Sequence, residues 1–330
     1  MMNRELAVIS ITALVIAGIS GIILASMGFS YWSLVWQQLI YVTVCDIGRF
    51  YYAPWRPTMH IDFMPVKRMF PFSVKLMITG IINSLNQSFL TFVFGRLFSM
   101  STVGSYFQAN KWNSMANSTI SGTVGQIAQT VMVSIIDEHG RDVRVFRKLL
   151  RFTAFLSFPC LLGLAMVSHE FILVTIGEKW TESIPLLQIL CVGGAFLPFY
   201  TLYQNMAVSH GKSNLNLWLT IGQITLQTSV IFLLYPYGIL SMVIAFTCIC
   251  ILWLGVWHLL THQLIELRFT DVLKDTLPFL LITVAIMATT FYSTLFIENL
   301  RLLLLARILV AVFLYYAIMR LFNVTIFNEC

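Results

Sequence analysis

The sequence predicts an all-α polytopic membrane protein with about ten transmembrane helices. Three observations carry that prediction. Of the 330 residues, 58% are hydrophobic and only 10% are charged, against about 25% charged in a typical soluble domain. The mean hydropathy is +0.83, more apolar surface than a water-soluble core of this size can hide. Apolar stretches of roughly 20 residues, the length needed to cross hydrocarbon, recur from one end of the chain to the other. They lie near 6–27, 30–52, 71–97, 103–136, 152–176, 184–208, 214–235, 238–260, 277–297 and 301–322.

Arg4 precedes the first stretch, whose apolar run exceeds the roughly 7–15 residues of a signal-peptide core. A spanning helix is expected there. The links between stretches then alternate in charge. Most of the 20 Lys and Arg flank 53–70, 137–151, 209–213, 261–276 and the C-terminus. Arg96, Lys179 and Arg301 lie on the opposite side, with Arg307 a turn or so inside the last helix. This positive-inside bias predicts cytoplasmic termini, and it accounts for the net charge of +6 without nucleic acid as a partner. The loop DEHGRDVRVFRKLLR (137–151) is expected to include a short interfacial helix that buries Val143, Phe146 and Leu150. YPYG (235–238) reads as a tight turn. The fourth stretch is too long to span straight, so it is expected to project, tilt or break, with Gly122 and Gly125 as its flexible points.

Two stretches depart from a plain anchor. In 71–97, Lys75, Thr79, Asn83, Asn86 and Gln87 share one helical face at 100° per residue. In 103–136, Asn110, Asn113, Ser114, Asn117 and Ser121 form a similar stripe. Polar groups in hydrocarbon are costly unless they face protein or water, so the stripes predict a lined cavity. Interhelical hydrogen bonding is the alternative for any one amide. Weaker stripes are Gln38, Tyr41, Cys45 and Arg49 in the second stretch, and Asn216, Thr220, Gln223 and Gln227 in the seventh. Tyr200, Tyr203 and Gln204 cluster at the end of the sixth. Lys75 and Arg49 lie near inner helix ends, where a long side chain either snorkels to the interface or serves a ligand.

Enzymatic chemistry is not expected. The acidic residues near the inner face, among them Asp46, Asp62, Asp137, Asp142, Asp271 and Asp275, form no D-x-D, and every outer loop is short. His258 and His262 stand one turn apart without a third ligand at metal spacing. Asp46 is placed to pair with Arg49. Glu170 falls near the outer end of its helix and is expected at the interface, leaving no evident buried carboxylate and any coupling ion unknown. The six cysteines form no CxxC pair and read as small apolar residues. No cofactor or metal is expected.

Several phrases resemble the Wzx-type polysaccharide flippases of the multidrug/oligosaccharidyl-lipid/polysaccharide exporter superfamily. IILASMGFSYWSLVWQQL (22–39) resembles the junction of the fifth and sixth helices of that family. FSMSTVGSYFQANKW (98–112) resembles the signature that opens the eighth helix, with Gly104, Tyr106 and Ala109 in place. Pro159, Gly163 and GEKWTESIPLLQIL (177–190) are similar to the ninth-to-tenth helix region, with Ser183 where alanine is usual. The resemblance implies that the ten stretches match helices five to fourteen, the family's first four having no counterpart here. Residues 1–52 would be the last hairpin of an N-lobe, 53–70 a cytoplasmic interlobe loop, 71–260 a six-helix C-lobe and 261–330 two additional helices.

It also implies transport of an undecaprenyl-pyrophosphate-linked glycan across the bacterial inner membrane by alternating access. Membrane lipids and the glycosyltransferase or polymerase machinery would be the other partners. The expected substrate-binding residues are Lys75, Asn83, Asn86, Gln87, Asn110, Asn113 and Asn117, with Arg49 as outer support. A multidrug exporter of cations, which would carry acidic cavity residues, and a non-transporting scaffold subunit are the alternatives.

Overall fold

The computed structural model describes residues 3–52, 63–134 and 141–321. Among them there is no strand. The elements are α1 (Asn3–Ser26), α2 (Trp32–Tyr52), α3 (Met64–Leu97), α4 (Met100–Ser134), α5 (Arg141–Thr175), α6 (Ser183–Gly194), α7 (Leu197–Ser209), α8 (Ser213–Leu234), α9 (Ile239–Ile265), α10 (Phe269–Ser293) and α11 (Leu300–Leu321). Each of the ten expected stretches is mainly helical over its described residues, the sixth being divided into α6 and α7. Seven stretches, from Glu5–Ser26 to Leu300–Leu321, are long and apolar enough to cross a membrane. The helices α2, α3 and α4 fall outside that set, and they are the ones whose polar side chains dilute the apolar run.

The chain forms two compact units, 1–67 and 68–330. In the first, α1 and α2 make a hairpin around Ile9, Ala13 and Cys45. Small residues let the helices approach closely: a Cβ on Gly48 would lie 2.8 Å from Ile9. Most other apolar side chains of the hairpin are exposed, as on helices bathed by lipid. Arg49 and Asp46 pair at 3.5 Å on its exposed side.

In the second unit α5 is the central strut, packed against α4, α6, α10 and α11. Phe146, Leu150, Phe158, Leu161 and Ile172 place its buried face in the main core with Leu187, Leu202, Tyr203, Met206 and Trp257. Phe146 and Leu150 are buried as the pattern foretold, but α5 runs unbroken from Arg141 into the span, so a separate interfacial helix is not formed there. Residues 137–140 of that loop lie outside the described residues. Glycines with positive φ make the tight turns: Gly177 (φ 88°) before Glu178–Trp180, and Gly238 (φ 88°) closing Tyr235–Tyr237.

Of the three ways out expected for the long fourth stretch, a break is not the one taken: α4 is continuous through Gly122 and Gly125 over 35 residues. Gly125 instead lets α7 approach, since a Cβ there would lie 3.1 Å from Thr201. The interruption is at Ala195–Phe196, between α6 and α7, and Pro198 explains it. Without an N–H, Pro198 cannot donate to the carbonyl of Gly194 four residues back. Asn117 Nδ2 donates to that carbonyl instead, at 2.9 Å. The Ser157 hydroxyl donates to the next one, Ala195 O, at 2.7 Å. Freed backbone groups in a spanning helix are re-satisfied by neighbours in this way.

The helices α10 and α11 are tied to α5 by charge. Near one end Arg147 donates to both oxygens of Asp275 (2.6 and 3.2 Å), and Arg151 lies 3.7 Å from the same carboxylate. Roughly 35 Å further along, at 1.5 Å per residue, Glu170 pairs with Arg307 of α11 at 2.8 Å. Both side chains are only 5% exposed. Arg307 also donates to Thr294 and lies over the Phe291 ring. The interfacial placement expected for Glu170 is therefore corrected: the helix face that carries it turns into the bundle, where Arg307 offsets its charge. Glu170 and Asp275 are also two buried carboxylates where no evident one was expected.

Candidate functional site

A cavity of about 660 Å³ opens between α3, α4 and α6–α9 of the second unit. The helix α4 supplies most of one wall, with Tyr106, Phe107, Asn110, Asn113, Ser114, Asn117 and Ser118 at successive turns of one face. Asn83 and Asn86 come from α3. Gly193, Gly194 and Leu197 line the cavity at the interruption between α6 and α7, and Gln204 lies further along α7. Thr220, Gln223 and Gln227 come from α8, and Phe246, Thr247 and Cys250 from α9. An interrupted helix at a polar cavity is a recurrent arrangement in membrane transport proteins.

Packing explains why this face of α4 can line a cavity. Gly104 lies beside the Trp180 ring, which a Cβ there would meet in ordinary contact at 3.5 Å. Tyr106 is buried edge-on against Phe94 of α3, with ring centroids 4.8 Å apart. Ala109 is fully buried. Small or flat residues thus hold α4 to its neighbours at one end, and the amides follow on the next turns. Ser183 uses its hydroxyl to bond Trp180 O at 2.5 Å, fixing the turn that carries that ring.

The polar groups of the cavity fall into two kinds. Asn117 is committed to the protein: it donates to Gly194 O and accepts from the Ser121 hydroxyl at 2.8 Å. Gln227 donates to Cys250 Sγ at 3.3 Å, and the Thr220 hydroxyl donates to Asn216 O. By contrast, the carbonyl oxygens of Asn86 and Asn113 are buried without a hydrogen-bond partner. Asn113 lies tight against Gly194, where a Cβ would stand 2.3 Å from Oδ1. Any side chain at position 194 would therefore displace the amide.

The structure brings five of the eight expected site residues to this cavity: Asn83, Asn86, Asn110, Asn113 and Asn117. Lys75 is half-buried two turns before Asn83 and outside the cavity lining. The side chain of Gln87 lies outside the described residues. Arg49 belongs to the first unit, where Asp46 is its partner. The α8 stripe contributes Thr220, Gln223 and Gln227, whereas Asn216 is buried away from the cavity. Gln204 reaches the cavity, but Tyr200 donates to Cys250 O and Tyr203 bonds His258 Nδ1 at 3.1 Å. Buried His258 thus serves packing, while His262 bonds Leu259 O. The sequence reasoning missed Thr247 and Cys250, single small residues in the very apolar α9 with no stripe to mark them.

Fold and cavity together define a multi-pass, all-helical membrane protein with a small-molecule-sized polar chamber inside an apolar bundle. The chain belongs to the polysaccharide biosynthesis protein family, whose profile matches residues 1–185. It is 31% identical over 155 residues to an uncharacterized membrane protein in the cps region of Klebsiella pneumoniae, covering 47% of this chain and 31% of that one. It is likewise 31% identical over 140 residues to the lipopolysaccharide biosynthesis protein WzxC of Escherichia coli strain K12, covering 42% and 28%. These matches take in less than a third of either relative's length. The fold is similar to that of the lipid II flippase MurJ in an inward closed conformation. The TM-score is 0.62 at 16% identity, over 94% of this chain and 66% of that one.

Proposed function

We propose that the protein moves a lipid-linked saccharide across the bacterial inner membrane during surface polysaccharide synthesis, by alternating access and without covalent chemistry. The observation that carries this reading is the amide-lined cavity. Asparagines and glutamines cost free energy in hydrocarbon, and the amides of this lining that are not bonded to the protein are placed to replace water around a polar cargo. Their setting beside the interrupted α6–α7 segment gives the wall a place to bend. Membership of the polysaccharide biosynthesis family and the flippase-like fold support it. In this proposal the undecaprenyl chain stays in the bilayer while the sugars, with the pyrophosphate that joins them to it, pass through the protein. Both termini face the cytoplasm, where the glycosyltransferases that build the cargo act.

Complementation tests the proposal. In a strain whose polysaccharide flippase is deleted, the locus encoding this chain is expected to restore surface polysaccharide. The same locus carrying Asn110→Ala and Asn113→Ala, present in the membrane at an equal level, is expected to lose it. Normal surface polysaccharide from the double variant would sink the cavity as the route.

A further inference from the structure

We infer that the cavity holds an oxyanion of the cargo, a phosphate or a carboxylate, through side-chain amide N–H groups and without a fixed cation. The inference rests on the proposed saccharide transport and names the group that the wall grips. Among the described residues the lining is rich in side-chain amides and carries no Lys, Arg, His, Asp or Glu. Two of those amides spend their nitrogens inside the protein, Asn117 on Gly194 O and Gln227 on Cys250 Sγ. The nitrogens of Asn83, Asn86, Asn110, Asn113, Gln204 and Gln223 have no protein partner, and they are free donors on the wall.

Asn86 and Asn113 present donors alone. Their Oδ1 atoms are buried in the wall, and Asn113 Oδ1 is turned onto Gly194, where a Cβ would stand 2.3 Å from it. With the oxygen closed off, what each amide offers the cavity is its Nδ2. Asn113 is only 5% exposed, and a donor left unpaired in such a place is costly. A sugar hydroxyl both donates and accepts, whereas ionised phosphate and carboxylate oxygens only accept. Hydrogen bonds to such oxygens are roughly twice as strong as those to neutral acceptors. They offset part of the cost of taking an anion out of water.

The break between α6 and α7 adds to this on one side only. The carbonyls it frees, Gly194 O and Ala195 O, are covered by Asn117 and Ser157. The start of α7 has no side-chain cap, and Leu197 at that end lies in the lining. The positive end of a 13-residue helix dipole is therefore left toward the cavity. Neutral donors also suit a carrier, because a transported group must be held well enough to enter and weakly enough to leave.

The test uses the purified full chain in lipid nanodiscs and saturation-transfer difference NMR at neutral pH. High salt screens the exposed basic loops. Methylenediphosphonate stands for the pyrophosphate of a lipid carrier, trigalacturonate for an acidic glycan and maltotriose for a neutral one. At least one acidic probe is expected to bind about tenfold or more tightly than maltotriose, the scale of one hydrogen bond to a charged group. Binding of methylenediphosphonate alone assigns the site to the carrier's pyrophosphate, and binding of trigalacturonate alone assigns it to the glycan. Asn113→Asp keeps the shape of the side chain and replaces its donor with an acceptor. It is expected to abolish binding of the acidic probes and to spare maltotriose. Asn86→Asp, on half-buried Asn86 of α3, is expected to do the same should Asn113→Asp fail to fold. Maltotriose binding as tight as that of the acidic probes overturns the oxyanion site and leaves saccharide transport standing. So does a folded variant that keeps its hold on them. Failure of all three probes to bind also overturns the oxyanion site, while complementation reads saccharide transport separately.

Discussion

Buried polar groups at the ends of α5 and in the cavity wall answer the same problem in opposite ways. Along α5, Arg147 meets Asp275 and Glu170 meets Arg307, each charge facing its opposite. In the cavity wall, the carbonyl oxygens of Asn86 and Asn113 are buried without a hydrogen-bond partner. Groups paired within the protein hold α10 and α11 in place, whereas an unpaired group is a cost, carried outside the cavity too by Glu170 Oε2 and Asn216 Oδ1. The difference separates paired groups that build the bundle from unpaired ones that do not. Asn117 belongs with the first kind although it lines the cavity, because its amide mends the gap that Pro198 makes in the backbone ladder.

The largest expected effect comes from cutting the most buried pair. Glu170→Ala strands Arg307 at 5% exposure, and such an uncompensated charge costs about 3–5 kcal/mol. Denaturant unfolding in detergent micelles measures it, and a loss below about 1 kcal/mol would show that the pair is dispensable. Asp275→Asn is expected to cost less, about 2 kcal/mol for charge-assisted hydrogen bonds. Arg147 and Arg151 are each about one-third exposed and can reach water along their stems.

Asn117→Leu is expected to cost about 1 kcal/mol, the scale of a hydrogen bond inside a helical membrane protein. Adding Pro198→Ala is expected to recover most of it by returning an N–H to Gly194 O. A double-mutant cycle reads the coupling, and strict additivity would mean the two residues do not share that carbonyl. The smallest change in stability is expected at Asn113→Leu. Removing an unpartnered acceptor leaves unfolding unchanged or raises the midpoint slightly, while polysaccharide export falls. If Asn113→Leu destabilises as much as Asn117→Leu, the division between paired and unpaired groups collapses.

How far the sequence reached follows from the range of the physics involved. Apolar runs and helical stripes are local, so ten helical stretches and the shared face of Asn110, Asn113 and Asn117 could be read from spacing alone. Partnerships across the fold could not. Nothing near Glu170 announces Arg307, because the two meet only when α11 packs on α5. Gly122 and Gly125 were expected as flexible points of the fourth stretch, but the interrupted helix is the sixth. It breaks between Gly194 and Pro198 because a missing donor breaks a helix more firmly than a flexible residue does. Lys75 shares a stripe with Asn83 and Asn86, yet two turns of helix carry it out of the cavity. A stripe specifies a face, and it does not say where along that face a cavity stops.

The uncharged lining has an electrical consequence. Among the described residues the wall brings no fixed charge, so its turning from one side of the membrane to the other would by itself do no work against the transmembrane potential. Each elementary charge moved costs or releases about 2.3 kcal/mol per 100 mV. In the proposed cycle any voltage dependence therefore comes from the pyrophosphate of the cargo and from a coupling ion, and not from the cavity wall.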